Sequence, residues 1–127
     1  MLAAIEALTN IASDSSAAEE VAVLGCVEIV LQVMVSHDWD DGLVHSSVEL
    51  LALLSVIQSG LAAFKNSDGI SIFLNAMDGS NVTDNAFLLN GCRILNCLSV
   101  DPDARRVVQS NNGVRLLLGL MVVAKRF

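Results

Sequence analysis

Proline is almost absent from this chain of 127 residues, which holds one, and tyrosine is missing altogether. With four Phe and one Trp as its only aromatics, the sequence lacks the material of an aromatic-rich β-sandwich. Near-absence of proline leaves long stretches free to form helices. Basic residues are also scarce, 7 against 14 acidic, for a net charge of −7. That balance excludes a nucleic-acid binder of the usual kind, because phosphate contacts need a basic surface. The three cysteines, Cys26, Cys92 and Cys97, form no paired spacing and stand in apolar context. They read as small buried residues of a reducing compartment, so a cytoplasmic location is expected, with the nucleus not excluded.

What the chain has in excess is aliphatic side chain. Apolar residues make up 54% and mean hydropathy is +0.61. The greasiest stretches, 48–57 and 114–124, are broken by Glu49 and Arg115 and fall short of the roughly 20 residues a membrane-spanning helix needs. No insertion into a membrane is expected. A signal peptide is not expected either: no basic residue precedes the first apolar stretch, and Glu6 interrupts it. The surplus apolarity instead suits a stack of helices whose end faces await neighbours.

The chain repeats itself. GCVEIVLQVM (25–34) recurs as DGISIFLNAM (68–77) and as NGVRLLLGLM (112–121), at offsets of 43 and then 44 residues. Val27, Ile70 and Val114 align in that register, as do Leu31/Leu74/Leu118 and Met34/Met77/Met121. A separate segment keeps the same offsets: IEALTNIAS (5–13), VELLALLSV (48–56) and CRILNCLSV (92–100). A third, weaker one aligns Val21, Phe64 and Val108. Two offsets shared by independent segments mark a tandem repeat. Each unit reads as a short first helix, a second of about ten residues and a longer third, with apolar residues at helical spacing throughout.

The punctuation between these helices fits. Ser16-Ala17-Ala18-Glu19 has the pattern of a capping box. Asp101 before Pro102 suits an N-cap followed by proline in the first turn. Gly25, Gly69 and Gly113 stand where first and second helices join and allow a sharp turn. Residues 37–42 and 78–81 carry turn residues and are predicted as loops before the third helices.

A unit of this length, with a glycine-led second helix and a third helix carrying Ala7-Leu8-Thr9-Asn10-Ile11-Ala12, resembles the armadillo repeat. HEAT repeats are the near relative, but usually lack the short first helix. The resemblance covers the whole chain: a third helix at 2–13, full repeats at about 16–57 and 59–100, and a truncated repeat at 102–127, all in one domain. It implies an all-α fold, a right-handed α-solenoid whose third helices line a concave groove. It implies in turn a scaffold that holds a peptide or partner domain, or alternatively a structural segment of a large assembly, such as a ciliary or cytoskeletal complex, with no groove ligand of its own. Adjoining repeats of a longer chain are further partners, with self-association when the 127 residues stand alone.

The groove positions carried over by the alignment are Glu6/Glu49/Arg93 and Asn10/Leu53/Cys97, with Ala3/Ser46/Asn90 one turn earlier. Asn10 has the donor and acceptor to clamp a bound backbone. Glu6 and Glu49 suit a basic partner, although solvated helix charges are more common. Leu53 and Cys97 read as core. Nuclear import adaptors of this family carry a tryptophan four residues before the signature asparagine; here those places hold Glu6, Glu49 and Arg93, so the ladder that grips import signals is absent.

The loop His37-Asp38-Trp39-Asp40-Asp41-Gly42 holds the sole tryptophan. It does not match a calcium loop, because Trp39 and Val48 fall where oxygen ligands belong. His37 and His45 lack a third metal ligand at helical spacing. Trp39 is a candidate contact for a basic partner, or a cap on the apolar edge of its repeat. No nucleophile motif, phosphate loop or zinc-protease motif occurs, so neither enzyme activity nor a cofactor or metal is expected.

Overall fold

A computed structural model describes residues 1–36, 41–66, 68–79 and 84–125 of the chain. Among these residues the fold is all-helical. The helices are α1 (Leu2–Ala12), α2 (Ser15–Val23), α3 (Cys26–Ser36), α4 (Asp41–Ser55), α5 (Gln58–Asn66), α6 (Gly69–Gly79), α7 (Asn85–Val100), α8 (Pro102–Ser110) and α9 (Gly113–Ala124). Lengths run 9, 11 and 15 residues in α2–α4, then 9, 11 and 16 in α5–α7.

Aspartates start several of these helices. Asp84 accepts the Ala86 N–H at 2.9 Å, and Asp101 accepts those of Asp103 and Ala104 at 2.9 and 3.1 Å, with Pro102 in the first turn. These bonds satisfy amides that a helix leaves unpaired at its N-terminus. One cap differs from the sequence expectation. Asp14, not Ser16, begins α2, accepting the Ser16 N–H at 3.0 Å and its hydroxyl at 2.9 Å. An ionised carboxylate is a stronger acceptor than a hydroxyl at the positive end of a helix, so the helix starts earlier than the capping-box pattern placed it.

The predicted loops are also shorter than expected. Asp41 and Gly42 belong to α4, and Asp78 and Gly79 to α6. Their helical neighbours carry the period on through residues whose propensity alone favours a turn. At the joins of first and second helices, Gly25 adopts a left-handed φ of +90°. In the last unit that conformation falls on Asn112 (φ 62°), which aligns with Gly25, rather than on Gly113. Gly113 serves close packing instead: a Cβ there would strike Val108 Cγ1 and lie 2.6 Å from the Val108 carbonyl oxygen.

Most helices pack on the helix three places further along, whereas α8 packs on α6, α7 and α9. α1 lies against α4 and α4 against α7; α2 lies against α5; α3 lies against α6 and α6 against α9. One apolar cluster runs through these contacts from Ile5 to Leu120. Phe64, Phe73, Leu51, Leu54, Ile94 and Leu98 are buried at its centre. Phe64 and Phe73 meet edge to face with centroids 6.3 Å apart, joining α5 to α6.

A Cβ at Gly91 of α7 would strike the Met77 side chain of α6. Ala4, Ser47 and Gly91 occupy one register position in α1, α4 and α7. Ser47 is fully buried, and its hydroxyl has no hydrogen-bond partner among the described residues. Among the described residues no single helix is long and apolar enough to cross a membrane.

Candidate interaction face

The face built by α1, α4 and α7 follows from their side-by-side packing. Period 3.6 places residues four apart on one side of a helix, so Glu6 and Asn10 share a face of α1, as do Glu49 and Leu53 on α4 and Arg93 and Cys97 on α7. Glu6, Asn10, Glu49 and Arg93 are exposed; Ser46, Leu53, Asn90 and Cys97 are half-buried. Ala3, a turn before Glu6, is exposed. Trp39 and His37 lie outside the described residues.

Glu6, Glu49 and Arg93 form no ion pair among the described residues, and the Asn10 side chain forms no hydrogen bond there. The row therefore presents two carboxylates, an amide and a guanidinium to solvent. Leu53 and Cys97, expected in the core, divide: Leu53 packs against the apolar cluster with part of its surface open, whereas Cys97 is half-buried outside it. The 3.6 period sets both at the margin of the buried stripe rather than beneath it, four residues from the exposed charges of Glu49 and Arg93. Cys26 is buried and Cys92 half-buried, and burial pushes both thiols above their ordinary pKa.

Beside this face, His45 stacks on Phe87, with ring centroids 4.1 Å apart and planes 12° from parallel. Its Nδ1 lies 3.8 Å from an Asp84 carboxylate oxygen, so His45 ties α4 to the start of α7. Among the described residues no three His, Cys, Asp or Glu side chains are grouped to hold a metal ion.

Two features lay beyond the reading of the sequence. The first is a polar staple. Asp101, which caps α8 with one oxygen, receives Lys65 Nζ from α5 on the other at 2.8 Å; Asp103 stands 3.9 Å from the same ammonium. The hydrogen bond that Lys65 donates holds the Asp101 carboxyl below its ordinary pKa, and the same bond raises that of Lys65. Lys65 and Asp101 are 36 residues apart, so only the fold brings them together. The second is an apolar cleft of about 280 Å³ among α1, α2 and α3, lined by Met1, Ile5, Leu8, Leu24, Ile29 and Val33. The recurring apolar position Ile29/Ile72/Leu116 was the available signal for it.

Comparison of this chain with protein-family models, with curated proteins and with solved structures finds no match.

Proposed function

We propose that the chain is an armadillo-like α-solenoid, a scaffold that holds a peptide or a partner domain on the concave side formed by α1, α4 and α7. The observation that carries this reading is the packing of α1 on α4 and α4 on α7, of α2 on α5, and of α3 on α6 and α6 on α9, at the spacing of the sequence repeat. Such stacking lines up one position per unit along a single face, which is how a solenoid meets an extended ligand. Glu6, Asn10 and Glu49 are the exposed groups suited to a basic segment with free backbone amides. The free thiols fit a reducing compartment, the cytoplasm or the nucleus. Adjoining repeats of a longer chain would extend the same face.

The test is selection of a displayed library of random peptides on the intact chain. Recovered peptides are expected to bind at least tenfold more weakly to a Glu6→Ala/Asn10→Ala/Glu49→Ala variant, about 1.4 kcal/mol or more. All three positions are exposed, so the variant keeps its fold. Undiminished binding to the triple variant overturns the groove.

A further inference from the structure

The helices of this chain amount to three units in a shifted frame. α1 aligns with the third helices α4 and α7, whereas α8 and α9 align with first and second helices, and among the described residues no third helix lies over them. Both ends expose residues whose register partners are buried inside. On α9, Val114, Leu118 and Met121 are 54%, 59% and 64% exposed. Their equivalents Val27/Ile70, Leu31/Leu74 and Met34/Met77 are all buried. At the other end, Met1, which precedes α1, and Ile11 on α1 are exposed, while Val44/Leu88 and Leu54/Leu98 at the same positions are buried. Inside the chain these two faces belong to helices that meet, because α4 packs on α3.

Charge divides in the same direction. Residues 1–36 carry Glu6, Asp14, Glu19, Glu20 and Glu28 and no basic side chain. Residues 102–127 carry Arg105, Arg106, Arg115, Lys125 and Arg126 against the single acid Asp103. The polar staple shows how such charges are used between units. Asp14 occupies the register position of Asp101, and Gln109 that of Lys65, with Arg105 and Arg106 one turn before Gln109 on α8.

We propose that the 127-residue chain associates with a second copy of itself head to tail: α1 of one copy becomes the third helix over α8 and α9 of the other. The apolar row Val114, Leu118 and Met121 meets Met1 and Ile11, and the acidic start of one copy faces the basic end of the next. Such a contact joins two different faces, so it does not close after two copies but continues as an open chain. This inference rests on the solenoid reading, but not on the peptide groove, whose loss in the triple-alanine variant leaves both ends intact.

Sedimentation velocity on the intact chain tests it. The unmodified chain is expected to grow in mass with concentration past the dimer, at about 10–100 µM, the range of a modest interface. Raising the salt reduces that growth, since the charges that meet are exposed. Ile11→Glu and Leu118→Glu, both at exposed positions, are each expected to be monomeric with unchanged helical circular dichroism. Mixed in equal amounts, they form a one-to-one dimer and nothing larger, through the one junction that keeps both native faces. An Arg105→Glu/Arg106→Glu variant supplies a second line, with association weakened at least tenfold at low salt. A monomeric unmodified chain overturns the proposal, and leaves the faces to adjoining segments of a longer chain. Association that stops at a dimer, persists in either single variant, or fails to return on mixing overturns it as well.

Discussion

Ser47 and Gly113 are buried small residues whose substitution to alanine has opposite consequences. Ser47 is fully buried, with a hydroxyl that has no partner among the described residues, at the register position of Ala4 and Gly91. A buried hydroxyl without a partner contributes nothing to offset its lost hydration. Ser47→Ala is therefore expected to leave urea unfolding unchanged or more stable by up to about 1 kcal/mol. Gly113→Ala acts in the other direction. Its Cβ would meet the Val108 side chain and carbonyl, and the carbonyl belongs to a helix end that cannot yield cheaply. A loss of about 1–3 kcal/mol in the same assay is the expected result. The positive φ at this join sits one residue earlier, on Asn112, because asparagine tolerates the left-handed region.

Among elements, α8 depends most on polar contacts. It has only Ala104 and Val108 buried, and Asp101 both caps it and pairs with Lys65 on α5. The folded state lowers the Asp101 pKa from 3.8, so this contribution is present above pH 3.8 and is lost as the pH falls through the lowered value. Lys65 is raised from 10.5, so its share is present below pH 10.5 and is lost as the pH rises through the raised value. Asp101→Asn retains a capping oxygen but not the charge. Its thermal midpoint is expected to fall below that of the unmodified chain between about pH 4 and pH 10, and the two curves converge in acid, where the aspartate is neutral too. A gap that persists undiminished at pH 2 would assign the effect to the cap rather than to the ion pair. Arg106, 3.4 Å from Asp103, is a surface pair within α8 and is expected to matter far less.

On the scale of the whole molecule, place along the stack decides the cost of a substitution. Ile11 and Leu54 share one register position, yet Ile11 is 52% exposed and Leu54 is 0%. Leu54→Ala is expected to cost about 2–5 kcal/mol, from lost transfer energy and the cavity left behind. Ile11→Ala is expected to cost under about 1 kcal/mol in dilute solution, where α1 has its outer face in water. Chemical denaturation of the two variants checks the contrast. Near-equal losses would mean that α1 is covered even at low concentration.

The sequence by itself determined the helices and their order. A 3.6-residue apolar period, scarce proline and the 43- and 44-residue offsets are local properties, so α1 to α9 were largely legible in it. Its errors were local too: the start of α2, where a carboxylate outcompeted a hydroxyl, and loop ends absorbed into α4 and α6. The candidate face was legible only as a row of register positions. That Leu53 packs against the core while Cys97, at the same register position, lies outside it depends on helix rotation and on neighbours far away in the chain. The tertiary structure alone decided the Lys65–Asp101 staple, the stacking of His45 on Phe87 and the cleft beside Ile29. Each joins residues from different helices, and no pattern within one helix encodes the distance between two.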